Sequence, residues 1–194
     1  MAICTVIKQG DLLVVTADSA VMKEKEGVNT RVGTTADNIL RYKDDYIYLS
    51  GYLQCVLETR NYIVQNGLDD LENYLKINDY PVFIAIINKE SITTFNMKDH
   101  EKEVNPFEDN QNTIIKTYGY EEERIKFNEA LQANFKKAEE AEEKMPMELT
   151  ILESYKDVSC GRVGGFLNIY YPDGTMRTLD IDSYKFNIYD GMWI

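Results

Sequence analysis

The stretch Ile3-Cys4-Thr5-Val6-Ile7-Lys8-Gln9-Gly10-Asp11-Leu12-Leu13-Val14-Val15-Thr16-Ala17-Asp18 decides the fold. Its first five residues are apolar and rich in β-branched side chains, Gln9-Gly10-Asp11 has turn chemistry, and Leu12 to Ala17 is a continuous apolar run. A half-exposed strand alternates apolar and polar residues; one that does not alternate has both faces covered. The stretch therefore predicts a hairpin whose second strand is buried on both sides.

Outward from that hairpin the pattern comes in blocks. Residues 23–27 are charged and end in Gly, residues 28–35 read as a further strand segment, and Tyr46-Ile47-Tyr48-Leu49 is a strand stopped at Ser50-Gly51. Over residues 52–65 the apolar positions Leu53, Val56, Leu57, Ile63 and Val64 share one helical face, and Asn66-Gly67 closes that helix. A short second helix is expected over 68–75. Pro81-Val82-Phe83-Ile84-Ala85-Ile86-Ile87 is a buried strand, turning at Asn88-Lys89-Glu90 into a strand over 91–95, and the polar residues 98–112 read as the long loop. A helix over about 121–143 places Phe127, Ala130, Leu131, Phe135 and Ala138 on one face, with Glu121, Glu122 and Glu123 in its first turn, where acids suit the helix dipole. After Pro146, a helix with Ile151, Leu152, Tyr155 and Val158 on one face runs to Cys160. The remainder reads as β: residues 165–171, the turn Pro172-Asp173-Gly174-Thr175, then 176–181 and 184–189. Strand blocks separated by helix blocks predict an α+β protein with antiparallel sheets and segregated helical layers, in one domain over residues 1–194.

Composition narrows the function. Lys and Arg number 21 against 33 Asp and Glu, a formal net charge of −12 that repels nucleic acid, and no dense basic run offers a local exception. The three cysteines, Cys4, Cys55 and Cys160, have no CxxC spacing, and the sole histidine, His100, lies in a polar run that reads as a solvated loop. Neither a disulfide framework nor a zinc site is indicated, and no cofactor is implied. Nothing approaches the ~20 apolar residues of a membrane span or a secretory signal, so a cytoplasmic, reduced protein with no membrane partner is expected. Gly161-Arg162-Val163-Gly164-Gly165 is glycine-rich but opens a strand, whereas a phosphate cradle opens a helix.

A resemblance covers most of the chain. Ile3-Cys4-Thr5-Val6-Ile7, Gly10-Asp11, Leu13-Val14-Val15-Thr16-Ala17-Asp18-Ser19, Asn38-Ile39-Leu40-Arg41-Tyr42 and Tyr46-Ile47-Tyr48-Leu49-Ser50-Gly51 before a helix resemble the N-terminal half of a proteasome subunit. Lys156-Asp157-Val158-Ser159-Cys160-Gly161, a strand and Asp173-Gly174 resemble that family's Asp-x-x-Ser-Gly segment and the turn after it. The resemblance implies the four-layer αββα sandwich of the N-terminal-nucleophile (Ntn) hydrolases, a homo-oligomer that can be a ring, and a peptide or protein partner. The 14 tyrosines, Tyr170, Tyr171, Tyr184 and Tyr189 among them, offer area for subunit contacts, although strand tyrosines also serve to cover sheet faces.

In such enzymes the first residue of the mature chain is a Thr, Ser or Cys whose own amine acts as base, tuned by a carboxylate and a lysine. By resemblance Asp18 is the carboxylate and Asp157 belongs to the support segment, with Cys160 in place of its serine. The family spacing back from Asp18 lands on Ala2, which has no nucleophile, and the lysine position is Asn38, reached through a loop about four residues longer than the family pattern. Two readings stay open. One is a proteasome-like pseudoenzyme acting as a scaffold, binding or assembly subunit. The other is a peptide or amide hydrolase in which removal of residues 1–3 exposes Cys4 as an N-terminal thiol beside Asp18, with Lys8, Lys23 and Lys25 as donors that could lower its pKa. A buried strand cysteine acting as a small hydrophobe is the plain alternative for Cys4, and backbone hydrogen bonding is that for Asp18 and Asp157.

Overall fold

The structure, a computed structural model, describes residues 3–25, 28–33, 37–108, 113–141, 145–158 and 163–181. Ala2, Ser159, Cys160, Gly161 and the strand expected over 184–189 lie outside the described residues, as do the side chains of Lys23 and Lys25.

The opening hairpin is β1 (Cys4–Gln9) and β2 (Leu12–Asp18), antiparallel with Cys4 opposite Ala17 and Gln9 opposite Leu12. It forms the middle of a five-stranded sheet whose order is β10 (Ile114–Tyr118), β1, β2, β11 (Phe166–Tyr170), β12 (Met176–Asp180). A second five-stranded sheet runs in order through β5 (Ile39–Tyr42), β6 (Asp45–Gly51), β7 (Val82–Ile87), β8 (Ser91–Phe95) and β9 (Lys102–Pro106). All pairings are antiparallel, and β3 (Val21–Lys25) with β4 (Val28–Gly33) makes a separate ribbon.

Side chains two apart on a strand share a face, and this separates three cores. Cys4, Val6, Leu13, Val15 and Ala17 of the first sheet meet Tyr46, Tyr48, Ala85 and Ile87 of the second between the sheets. The alternate residues Ile3, Ile7 and Val14 face outward onto Phe127, Leu131, Ile151, Leu152 and Tyr155. Those belong to α3 (Glu121–Glu140) and α4 (Met147–Asp157). On the far side, Ile47, Leu49, Ile84 and Ile86 pack against Ile63 of α1 (Leu53–Asn66) and Leu71 and Leu75 of α2 (Leu71–Asn78). The layers are therefore helix, sheet, sheet, helix, as the αββα expectation requires. Because both faces of β1, β2, β6 and β7 are buried, their sequences read as unbroken apolar runs.

Several details depart from the sequence reading, which has no strand at β3 or β5 and runs the helix after Pro146 to Cys160, whereas α4 ends at Asp157. The expected loop over 98–112 contains β9, a polar edge strand held to β8 by main-chain bonds, with Val104 exposed. Residues 114–118, not anticipated as a strand, form β10 against β1. The second helix begins at Leu71, later than expected. His100 is 2% exposed, not solvated: Asn96 Oδ1 accepts the N–H of Lys98 and Asp99, the chain reverses through a left-handed His100 (φ 58), and neither ring nitrogen has a partner among the described residues.

Candidate functional site

The polar centre of the molecule lies where β1 begins and β2 ends. Asp18 is fully buried, and its carboxylate takes three main-chain N–H groups: Ile3 at 2.6 Å on Oδ1, and Gly164 at 3.2 Å and Ala20 at 3.4 Å on Oδ2. The Asp18 N–H donates in turn to the Ile3 carbonyl at 3.2 Å. That carbonyl also accepts the Tyr155 hydroxyl at 3.0 Å, and Thr16 Oγ1 lies 3.3 Å from the same hydroxyl. With its single proton on Ile3, Tyr155 accepts from Thr16. The Ile3 peptide is held at its N–H by Asp18 and at its C=O by Tyr155, a residue 152 positions away in sequence.

Asn38 stands beside this centre. Its Nδ2 donates to the Asp18 carbonyl at 2.7 Å, and its own carbonyl accepts the Leu49 N–H at 2.9 Å, which ties it to the second sheet. Next to it Asp37 Oδ1 accepts the Tyr170 hydroxyl at 2.6 Å, and the Asp37 carbonyl accepts Arg60 Nη1 at 2.9 Å. The position matched to the family's lysine is thus brought against Asp18, but what it presents there is an uncharged amide.

Electrostatics follow from burial. Dehydration pushes the Asp18 carboxyl up to about 7 from 3.8, although the Ile3, Gly164 and Ala20 amides pull the other way. Burial first, and the Asp18 charge second, push the Cys4 thiol far above its ordinary range. The Tyr48 and Tyr155 hydroxyls are raised by burial too.

Of the three candidate residues, the structure brings Cys4 and Asp18 close and leaves Asp157 apart. Cys4 is fully buried among the side chains between the sheets, and its cross-strand partner is Ala17; the residue bonded to Asp18 is Ile3. Removing residues 1–3 would take away one of the three donors to the carboxylate and the carbonyl that Tyr155 holds. Lys8 does not assist Cys4, since its amine donates to the Gly10 carbonyl at 2.6 Å at the opposite end of β1. Asp157 is exposed and accepts Asn134 Nδ2 at 2.9 Å. It follows Tyr155 by two residues, about 200° around the helix, so Tyr155 faces the sheet and Asp157 does not.

Sequence reasoning missed Thr16, Ala20 and Gly164, and took Tyr155 for a core residue only. The usable signal was a tyrosine on a buried helical face, because a buried phenol needs a partner for its hydroxyl. Among the described residues no three His, Cys, Asp or Glu side chains stand together as a metal would require, and no helix is long and apolar enough to cross a membrane. A groove of about 600 Å³ opens under α3 near Ile7, Gln9 and Phe135, and shares no residue with the Asp18 cluster.

These features define a class: the chain has the proteasome-like fold of the Ntn hydrolases, with two antiparallel five-stranded sheets between helical layers. Among solved structures it is similar to Thiobacillus denitrificans BPH in complex with epoxomicin, at 15% identity and a TM-score of 0.60 over 87% of this chain and 97% of that one. Eukaryotic HslV from Trypanosoma brucei is similar at 12% identity and a TM-score of 0.55, over 87% of this chain and 98% of that one. A further structure of Thiobacillus denitrificans BPH matches over 94% of this chain and all of that one, at 13% identity and a TM-score of 0.55. No family model matches the chain, and no curated protein matches it.

Proposed function

We propose that this chain is a proteasome-like subunit that has lost peptidase activity and serves as a scaffold, binding or assembly subunit. In this reading it is one domain over residues 1–194, works in the reduced cytoplasm, and joins copies of itself, a ring being one form. The observation that carries the reading is the bond from Asn38 Nδ2 to the Asp18 carbonyl. An amide in the lysine's place carries no charge and exchanges no proton near neutral pH, so it cannot tune an N-terminal amine. The Asp18 carboxylate, for its part, is already bonded to three main-chain amides.

Assembly is supported by a surface feature. Leu53, Leu57 and Val64 lie on one face of α1 and are 51%, 47% and 59% exposed, an apolar stripe of the kind a subunit contact covers. The test assays purified protein and its Cys4→Ala variant against a panel of peptide and amide substrates, and weighs the native assembly. The expected outcome is no turnover above the variant's and a mass that is a multiple of the chain's. Turnover that Cys4→Ala abolishes would overturn the loss of activity, and a monomer would overturn the assembly role.

A further inference from the structure

Of the sheet edges formed by the described residues, β10 is the one without the usual protection. It pairs with β1 alone, so every second residue turns its main-chain N–H and C=O away from the sheet. Such edges are normally guarded by charge, proline or shortness. β12 carries Arg177 and Asp180, β9 carries Lys102, Glu103 and Pro106, and β5 is four residues long. β10, Ile114-Ile115-Lys116-Thr117-Tyr118, has no proline and a single charge. That charge, Lys116, stands on the opposite face from the exposed Ile115 and from Thr117, which line the groove under α3.

The groove has the length, wall and charge to hold a strand laid on that edge. The Thr117 hydroxyl donates to Asn128 Oδ1 at 2.9 Å, and from Asn128 to Glu139, both lining the groove, α3 rises about 16 Å. An extended run of about five residues covers the same distance. The volume of about 600 Å³ is that of a ligand site, and Leu131, Phe135 and Met147 give it an apolar wall. Its charged groups are Lys136 and Glu139. Lys136 lies 3.9 Å from Glu140, whereas Glu139 has no cation partner among the described residues. The groove's uncompensated charge is therefore negative, and so is the chain's net charge of −12.

We propose that the groove between β10 and α3 is a peptide-docking site for an extended segment of a partner protein, apolar at every second residue, with a Lys or Arg at one end of that run. The segment adds to β10 as a sixth strand, lays its apolar side chains against Ile115 and Phe135, and sets its cation on Glu139. Main-chain bonds to the open edge supply affinity, and the alternate side chains supply selection. Such a partner fits the binding role proposed above, and the site's use rests on that reading. Its geometry does not, because Cys4, Asp18 and Asn38 take no part in the groove.

The test uses the full chain and four fluorescein-labelled peptides of eight residues, in which Val, Ile, Leu or Phe alternates with Thr and the last residue is Lys. Fluorescence anisotropy reads binding, and NMR locates it. At least one peptide should bind saturably and shift the amides of β10. N-methylation of one alternate set of its amides, but not of the other, should weaken binding about tenfold, since only one set faces the edge. Glu139→Lys, a change at an exposed helical position, should weaken it about fivefold and leave unchanged the binding of a peptide with Thr in place of its Lys. Failure of all four peptides to bind, equal binding after either N-methylation, or shifts confined to other elements would overturn the proposal. An edge already covered in the free chain would overturn it too, seen as slow exchange at every amide of β10 or as self-association that Ile115→Lys abolishes. The N-methylated peptides decide the matter without any change to the chain, and their failure would leave the loss of peptidase activity standing on its own substrate assay.

Discussion

Tyr155→Phe isolates the clamp on Ile3 from the packing around it. The ring of Tyr155 is fully buried and meets Phe127 at a centroid distance of 4.6 Å, so phenylalanine keeps those contacts and removes only the hydroxyl. Two bonds are lost, to the Ile3 carbonyl at 3.0 Å and from Thr16 at 3.3 Å. The Ile3 carbonyl retains the Asp18 N–H, but the fully buried Thr16 hydroxyl is left without that partner. At about 1 kcal/mol for each net bond the cost is about 2 kcal/mol, whereas Tyr155→Ala, which also empties the ring's volume, should cost about 4 kcal/mol. Urea unfolding reads this as a midpoint lower by about 1 M in Tyr155→Phe, for a slope of about 2 kcal/mol/M that the substitution leaves unchanged. A double-mutant cycle with Thr16→Val should give a coupling of about 1 kcal/mol, since both single changes break the same bond. A Tyr155→Phe protein as stable as the wild type, or strictly additive effects with Thr16→Val, would refute the clamp.

Three further outcomes follow from the same geometry. The folded Asp18 carboxyl lies above its unfolded value, so its contribution to stability is greatest below 3.8 and is lost as pH rises to about 7. The loss is on the order of 4 kcal/mol, visible as a falling melting temperature over that window that Asp18→Asn flattens. The Cys4 thiol, buried and held protonated, should resist alkylation in the native protein and react only after denaturation, as mass mapping of alkylated peptides would show; rapid native labelling would mean that the core between the sheets opens. Gly51→Ala should cost about 3 kcal/mol in chemical unfolding, because a Cβ there would stand 2.3 Å from the main-chain oxygen of Pro81 on the neighbouring segment, and a backbone atom cannot swing aside.

What could be read from the sequence was set by which faces are covered. β1, β2, β6 and β7 are buried on both sides, so apolar runs marked them clearly. α3 and α4 showed their inner faces through Phe127, Leu131, Ile151 and Tyr155, all buried as expected. Two edge strands, β10 and β9, escaped for the opposite reason. In Ile114-Ile115-Lys116-Thr117-Tyr118 and Lys102-Glu103-Val104-Asn105-Pro106 the main chain pairs with one neighbour, and the side chains carry little of the signal. At the site, Asp18 and Asn38 stood out only through the resemblance to proteasome subunits. The convergence of Tyr155 and Gly164 on the Ile3–Asp18 pair depends on contacts across about 140 residues or more, which local periodicity cannot carry.

The most direct trial of the central claim, an Ntn fold without a working nucleophile, is the intact mass of the chain purified from its native host before and after exposure to epoxomicin, the ligand bound in one of the similar Thiobacillus structures. The expected result is a chain that still carries Ile3 ahead of Cys4 and gains no adduct. A chain that begins at Cys4 and takes up one epoxomicin would contradict it.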